Sequence, residues 1–349
     1  MLKSKIKIVF VLLFISFCCL SLFFVYRMSK TLDVNLKAAV KTGGEYIKFL
    51  QAFQTVLNND SSNYSLEMDH LDSKDASISS IKHLENNLAD IALVQSNSKY
   101  DGSKVSSIAN VFFEPVLFFS NTKDICSISD LAEYKSSIRC VYLGHQTQTA
   151  KDFNNLLSFY GIKKSKFELI EANYDSSITL LKQKKVDIGF FIVGLGNSAI
   201  KSMFSDTTLH VITLENNEAY LSMNKNFQEY SVFKGLFGLN YPKKDYRTFA
   251  TSAMMVCRRD LETNDVFELT KALFEKQAEI SVKYPFIYVE PVFDAHKNSI
   301  PIHQGALLYY NKNEPTYIDK NSTLIGTIVS ILGLVISSLP LIKTLRSLK

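Results

Sequence analysis

The sequence predicts an α/β fold built from parallel strand, turn and helix units, and three observations carry that prediction. Short apolar runs of strand length alternate with amphipathic stretches of helical period along residues 34–284. Glycines mark strand-to-helix junctions at Gly43-Gly44 and at Gly194-Leu195-Gly196. The run 188–193, Ile-Gly-Phe-Phe-Ile-Val, is uncharged, as a strand covered on both faces must be. In an open α/β sheet the ligand lies beyond the carboxyl ends of the strands. Glycines there admit close approach and helix N-termini supply N–H donors, so these junctions are where a site is expected.

The elements follow in order. Residues 34–40 read as a strand leading into Lys41-Thr42-Gly43-Gly44-Glu45-Tyr46, and Tyr46, Phe49, Leu50, Phe53, Val56 and Leu57 then recur at helical spacing. A helix is expected over 80–88, then a buried strand over 90–95 with Gln95 at its exit. Residues 111–120 form an apolar run interrupted by Glu114-Pro115. A helix over 129–134, opened by Ser129 or Asp130, precedes a strand at 138–143, a polar loop, and a helix over 150–160 that Gly161 stops. A strand at 167–172, a helix at 176–184 and the strand at 188–193 complete the regular part, with helix-permissive residues from Asn197. The pattern weakens over 201–246, where only 210–214 reads as a strand. Residues 249–256 read as a return strand and 265–284 as one helix, capped by Thr263 or Asn264 and ended before Pro285.

At 349 residues and 46% hydrophobic content the chain has room for one large or two medium domains. Its net charge is +5, but Lys3, Lys5, Lys7, Arg27, Lys30, Lys343, Arg346 and Lys349 crowd the two ends with no acid among them. Removing those eight charges leaves −3 for the segment between, which excludes a nucleic-acid footprint. Uncharged runs of 19 residues at 8–26 and 22 residues at 321–342 have the length of bilayer spans, with basic residues on their outer flanks. The positive-inside rule then puts both termini in the cytoplasm, two spans in the lipid bilayer of the inner membrane, and the main domain in the periplasm. A cleaved signal peptide is the competing reading of the first run, although Arg27 follows its core directly and no small-x-small site does; a lipoprotein cysteine at Cys18 would follow the bulky Phe17.

Three cysteines, Cys126, Cys140 and Cys257, lie between the two runs. The odd count argues against a full disulfide framework and leaves Cys126 and Cys140 either as a bridge or as free thiols. No HExxH, CxxC, GxSxG, Walker A or GxGxxG pattern occurs, and the histidines at 70, 83, 145, 210, 296 and 303 lie far apart. No metal, cofactor or enzymatic centre is therefore expected. His145 reads as a polar loop residue, and Asp187 and Glu114 stand without a partner at any spacing that suggests acid–base work.

Four ordered blocks carry a family resemblance. Pro301-Ile302-His303-Gln304-Gly305-Ala306-Leu307-Leu308-Tyr309-Tyr310 is similar to a closing Pro-Leu-His-Pro-Gly-Ala-x-x-Tyr-Tyr. Residues 187–200 are similar to Asp-Ala-Ala-Phe-Phe-x-x-Gly-x-Pro-Asn-Pro-Ala-Ile, with Phe190, Phe191, Gly194, Asn197, Ala199 and Ile200 retained. Residues 268–275 reproduce a helix of the same family, and residues 89–95, Ala-Asp-Ile-Ala-Leu-Val-Gln, are similar to its Ala-Asp-Leu-Ala-Ile-Val-Gln. On these blocks, residues from about 36 to 310 resemble the TAXI family of extracytoplasmic solute receptors, the binding-protein partners of TRAP-type transporters.

The resemblance implies a type II periplasmic-binding-protein fold: two α/β lobes around a ligand cleft, here flanked by N- and C-terminal transmembrane helices. Lobe 1 is expected from 31–118 and 250–318 and lobe 2 from 119–249. Residues 1–30 are expected as a membrane anchor or signal peptide, 321–342 as a transmembrane helix and 343–349 as a basic cytoplasmic tail. It further implies capture of a small anionic metabolite such as glutamate or another carboxylate, or an amino acid, and a membrane partner, either TRAP-type subunits or another inner-membrane protein. Carried over by position, the ligand-binding residues are Gly43, Gly44, Tyr46, Gln95, Thr147, Thr149, Gly194 and Asn197.

The chain also departs from the pattern. The family's Thr-Gly-x-x-Gly-Gly-Thr-Tyr-Tyr turn is here Ala39-Val40-Lys41-Thr42-Gly43-Gly44-Glu45-Tyr46-Ile47, and its Pro-Gly-Ser-Gly-Thr loop is Gln146-Thr147-Gln148-Thr149, one residue shorter. Bulky side chains thus replace glycines that let backbone donors reach an anion. These changes, with the C-terminal span, keep a second reading open: a membrane-anchored sensor or interaction protein on the same fold, with altered or lost ligand binding.

Overall fold

Every strand-turn-helix unit expected over 34–205 is present. A computed structural model describes residues 34–314 apart from 60–62, 72–75, 99, 101–103, 145–146 and 293–299, together with residues 16, 21, 323 and 326–331. β1 (Val34–Lys41) runs into α1 (Glu45–Asn59), whose Ile47, Phe49, Leu50, Phe53, Val56 and Leu57 form the buried face. The order continues with β2 (Tyr64–Leu71), α2 (Ala76–Glu85), β3 (Ile91–Gln95), β4 (Val105–Ser120), α3 (Ile128–Glu133), β5 (Ile138–Tyr142) and α4 (Gln148–Phe159). Next come β6 (Phe167–Glu171), α5 (Tyr174–Lys182), β7 (Ile188–Ile192), α6 (Ser198–Ser205), β8 (His210–Val211), α7 (Asn217–Met223), β9 (Gln228–Val232) and β10 (Tyr246–Arg258). α8 (Thr263–Glu275), α9 (Gln277–Lys283) and α10 (Gln304–Tyr310) complete the order. Helix starts follow their caps: Ser127, Thr147, Asn173 and Asn197 each accept a backbone N–H from the first turn of α3, α4, α5 and α6.

Among the described residues ten strands share one network in the order β2-β1-β3-β10-β4-β7-β5-β6, with β8 joined to β4 and β9 to β10. β1 pairs in parallel with β2 and β3, and β5 in parallel with β6 and β7, giving two half-sheets. The antiparallel pair β4 and β10 lies between them. β4 pairs with β10 from Val105 opposite Arg258 to Pro115 opposite Ala250, then pairs with β7 from Val116 opposite Ile192 to Ser120 opposite Ile188. The change of partner falls at Glu114-Pro115. A proline has no N–H to give the ladder, so the run is interrupted at the one place where the strand changes neighbours.

Period-two alternation distributes the β4 and β7 aromatics to opposite faces. Phe118 and Phe190 pack with ring centroids 4.7 Å apart and meet Phe153 of α4. Phe119 and Phe191 join Leu181 of α5 and Ile200 of α6 in a separate cluster. Both faces are thus covered, which is why the sequence of β7 reads as a continuous apolar run.

Several elements differ from the sequence reading. β2, α7 and β9 were not foreseen: β2 is a half-exposed edge strand, and α7 and β9 fall in the weakly patterned stretch. The strand expected over 210–214 is only two residues long. The helix expected over 265–284 is two helices broken at Lys276, and Glu262 precedes it without a side-chain cap bond. α3 is capped by Ser127, with Asp130 closing a capping box, rather than by Ser129 or Asp130. Cys126, Cys140 and Cys257 are all free, with Cys126 exposed and the other two buried.

The chain divides into two compact units, Met1–Ala306 and Leu307–Lys349. Among the described residues no helix is long and apolar enough to cross a membrane. The expected spans at 8–26 and 321–342 lie outside the described residues except for 16, 21, 323 and 326–331, of which Ile328, Val329 and Ile331 are exposed.

The block Pro301 to Ala306 has a structural task. His303 Nδ1 accepts from the Gly305 N–H at 3.1 Å, so the ring's proton sits on Nε2, 3.1 Å from the Arg259 carbonyl it bonds. Burial lowers the histidine's pKa and keeps it neutral in this arrangement. A Cβ on Gly305 would lie well inside 3.0 Å of the Thr263 carbonyl oxygen, and also too close to the Phe267 N, both backbone atoms that cannot swing aside. Gly305→Ala is therefore expected to lower stability by roughly 1–3 kcal/mol in chemical denaturation. An unchanged midpoint would show that this seat tolerates a side chain.

Candidate functional site

Where β4 changes partner the half-sheets leave a cavity of about 670 Å³, within the size range of small-molecule sites. One wall is the turn from Lys41 to Lys48 after β1, with Ser77 of α2 and Gln95 at the end of β3. The other is Thr147, Gln148 and Thr149 at the start of α4, Tyr174 at the start of α5, and Asn197 and Ser198 at the start of α6. Glu114 of β4 lines the space between them. These are carboxyl ends of strands and N-termini of helices, the arrangement that follows from parallel half-sheets.

Of the eight positions carried over by resemblance, Gly43, Gly44, Tyr46, Gln95, Thr147, Thr149 and Asn197 line this cavity and Gly194 does not. Gly194 is buried, and a Cβ there would lie 3.0 Å from the Phe112 ring and 3.3 Å from the Tyr284 hydroxyl, so it faces the aromatic packing around β4 rather than the open space. Gly43 and Gly44 have φ of +80° and +86°, the left-handed region that favours glycine, and nothing lies within 4 Å of an added Cβ at either. Thr147 Oγ1 donates to the Gly144 carbonyl at 2.8 Å and accepts from the Ala150 N–H at 3.2 Å, and Asn197 Oδ1 accepts from the Ala199 N–H at 2.8 Å. Those two side chains hold helix N-termini toward the cavity. The Gln95 backbone N–H donates to Ser77 Oγ at 3.1 Å, while its Nε2 is buried and unpaired among the described residues. His145 lies outside the described residues.

Sequence reasoning missed the acids. Glu114 is 6% exposed, and the Tyr46 hydroxyl donates to its Oε2 at 3.2 Å. Burial pushes the Glu114 carboxyl up to about 8; the Tyr46 hydrogen bond lowers it and the Glu45 charge raises it further. The Tyr46 hydroxyl is raised too, by burial and then by Glu114. Glu45 is also raised by burial, with Lys48 offsetting part of the effect through a 2.9 Å hydrogen bond. Lys48 Nζ also donates to the Gly196 carbonyl at 3.2 Å, which joins the first turn to the loop after β7. The one legible signal for Glu114 was an acid beside a proline inside an apolar run.

Asp187 is not alone either. Arg139 Nη2 lies 2.6 Å from its Oδ1 and the Arg139 Nε donates to Oδ2 at 3.1 Å, a structural pair between β5 and the start of β7. Among the described residues no group of three or more His, Cys, Asp or Glu could hold a metal ion. The cavity therefore offers helix N-termini, an amide donor, hydroxyls and carboxylates, a set suited to holding a polar molecule.

Two expectations follow. Because Glu114 takes up a proton on folding, its stabilisation is complete below its ordinary value of 4.5, declines as pH rises, and is gone above about 8. Thermal stability should thus fall across that window more steeply in the parent than in Glu114→Gln, and parallel pH profiles would refute the assignment. A Cβ on Gly196 would lie well inside 3.0 Å of Glu45 Oε2 and 3.2 Å from the Phe286 ring. Gly196→Ala should therefore displace Glu45 and lower stability by roughly 1–3 kcal/mol in urea melts.

Solved structures match this chain at low identity. A TctC solute-binding protein from Polaromonas, solved without ligand, gives a TM-score of 0.50 at 10% identity, covering 74% of this chain and 91% of that one. The periplasmic aliphatic sulphonate-binding protein SsuA from Escherichia coli gives 0.47 at 11% identity, covering 82% and 95%. The BenM effector-binding domain with its effector benzoate gives 0.47 at 11% identity, covering 76% and 100%. No curated protein matches the chain. Residues 38–313 match the profile of the NMT1-like family, a span that takes in both half-sheets and every wall of the cavity, and the chain belongs to that family.

Proposed function

We propose that the chain is a membrane-tethered extracytoplasmic solute receptor that captures a small polar metabolite, a carboxylate or an amino acid, between two lobes and presents it to a membrane partner. The observation that carries this reading is the cavity at the change of partner in β4, walled from both half-sheets by strand ends and helix starts. The fold shared with the TctC solute-binding protein supports it. Residues 31–118 with 250–318 form lobe 1 and 119–249 lobe 2, with β4 and β10 crossing between them as the hinge.

The tether rests on the uncharged runs 8–26 and 321–342, which put both termini in the cytoplasm and the lobes in the periplasm. Holding the receptor at the membrane raises its effective concentration near its partner, for which TRAP-type subunits fit the TAXI-like blocks.

The test is a thermal-shift screen of the full-length chain in detergent against carboxylates, amino acids and related metabolites. A ligand at about 100 times its dissociation constant should stabilise the protein by about 2.7 kcal/mol. Gln95→Leu and Tyr46→Phe should each weaken a hit about tenfold or more, the loss of one buried hydrogen bond to a polar ligand. A folded protein that no metabolite stabilises would move the assignment to the interaction protein on the same fold.

A further inference from the structure

We infer that the cavity holds its solute by an amino group set against Glu114, so that the ligands are amines, with amino acids the simplest that use the whole site. The inference rests on the receptor reading and narrows its ligand class.

The wall of the cavity is acidic. Glu45, Glu114, Glu171 and Asp175 line it against Lys41 and Lys48, and no arginine lines it. Lys48 is engaged by Glu45 at 2.9 Å and by the Gly196 carbonyl at 3.2 Å. A carboxylate ligand would thus enter a low-dielectric space beside a buried acid with no guanidinium among the described lining residues to receive it, whereas an ammonium would meet its complement.

Glu114 is placed for that role. The Tyr46 hydroxyl donates to its Oε2, and the side chain lines the cavity at the point where β4 passes from β10 to β7. Tyr46 on one wall and Tyr174 on the other give an ammonium aromatic neighbours.

A second observation points to the rest of the ligand. Gln95 is 7% exposed, lines the cavity, and its Nε2 has no partner among the described residues. It calls for an oxygen acceptor on the solute, as do the open glycines of the first turn. An amine with a carboxylate or carbonyl oxygen satisfies both ends.

The chemistry makes a proton part of the binding. With Glu45, Tyr46, Tyr174 and Tyr284 around it and Lys48 beside Glu45, burial holds Glu114 protonated at neutral pH when no cation is present. An arriving R–NH₃⁺ pairs with the carboxylate, and the Glu114 proton leaves to solvent. Affinity should therefore rise with pH toward about 8, and binding at pH 7 should release up to one proton.

The experiment uses the full-length chain in detergent and three matched series: amino acids, the amines left by removing their carboxylate, and the acids left by replacing their amine with hydrogen. Thermal shift identifies binders, and calorimetry in two buffers of different ionisation enthalpy counts protons. Amine-bearing members should bind with proton release, and Glu114→Gln should cut their affinity at least about tenfold. That variant mimics the protonated side chain and should melt cooperatively at pH 7. Deaminated acids that bind as tightly as their amino acids, or unchanged affinity in Glu114→Gln, would overturn the inference and leave the receptor reading standing. Folded protein that binds no member of any series would overturn both.

Discussion

The molecule depends on one strand that has to serve two half-sheets. β4 is buried along most of its sixteen residues, and it pairs with β10 as far as Pro115 and with β7 from Val116. Pro115, at the change, brings no N–H to be left unpaired, and its carbonyl accepts from the Val193 N–H at 3.4 Å. The residue before it lines the cavity between the half-sheets. That residue is Glu114, so the change of partner also puts a carboxyl group in the cavity.

A buried carboxyl is costly unless it is neutral or paired. Glu114 is kept largely neutral by its surroundings and takes a hydrogen bond from Tyr46, whose own ring packs edge-on to Phe112 at 6.0 Å. Phe112 in turn meets Phe49 at 5.8 Å and Tyr284 at 5.1 Å. The first turn, the central strand and the late helix α9 are thereby joined through one aromatic cluster. A cation that reaches Glu114 therefore acts on the element that links both halves of the sheet, which gives binding a route to their relative positions.

The parts legible in the sequence are those whose physics is local. β7 and β3 read as buried strands because both faces are covered, and Gln95 and Gly43-Gly44 read as strand exits, the positions to which the family resemblance carries site residues. The first half of β4 was missed because Ser106, Ser107 and Asn110 break its apolar run, although Ser107 is fully buried and pairs with the 300–303 segment. Tertiary partners override composition there. The break at Lys276 was hidden because helical periodicity runs through it. Glu114 looked solitary because its partner Tyr46 lies 68 residues away. Gly194 and Gly196 are two residues apart in one turn, and no spacing rule says which of them faces the aromatic core and which meets Glu45.

The departures from the TAXI-like pattern are not independent of one another. Glu45 stands where that pattern has threonine, and Gly196 stands where it has proline. A Cβ at 196 would occupy the space of Glu45 Oε2, so a proline there would require the Glu45 carboxylate to move. Lys48 then ties the two together by bonding both Glu45 and the Gly196 carbonyl. Glu45, Lys48 and the Gly196 carbonyl thus join the first turn, which walls the cavity, to the loop after β7.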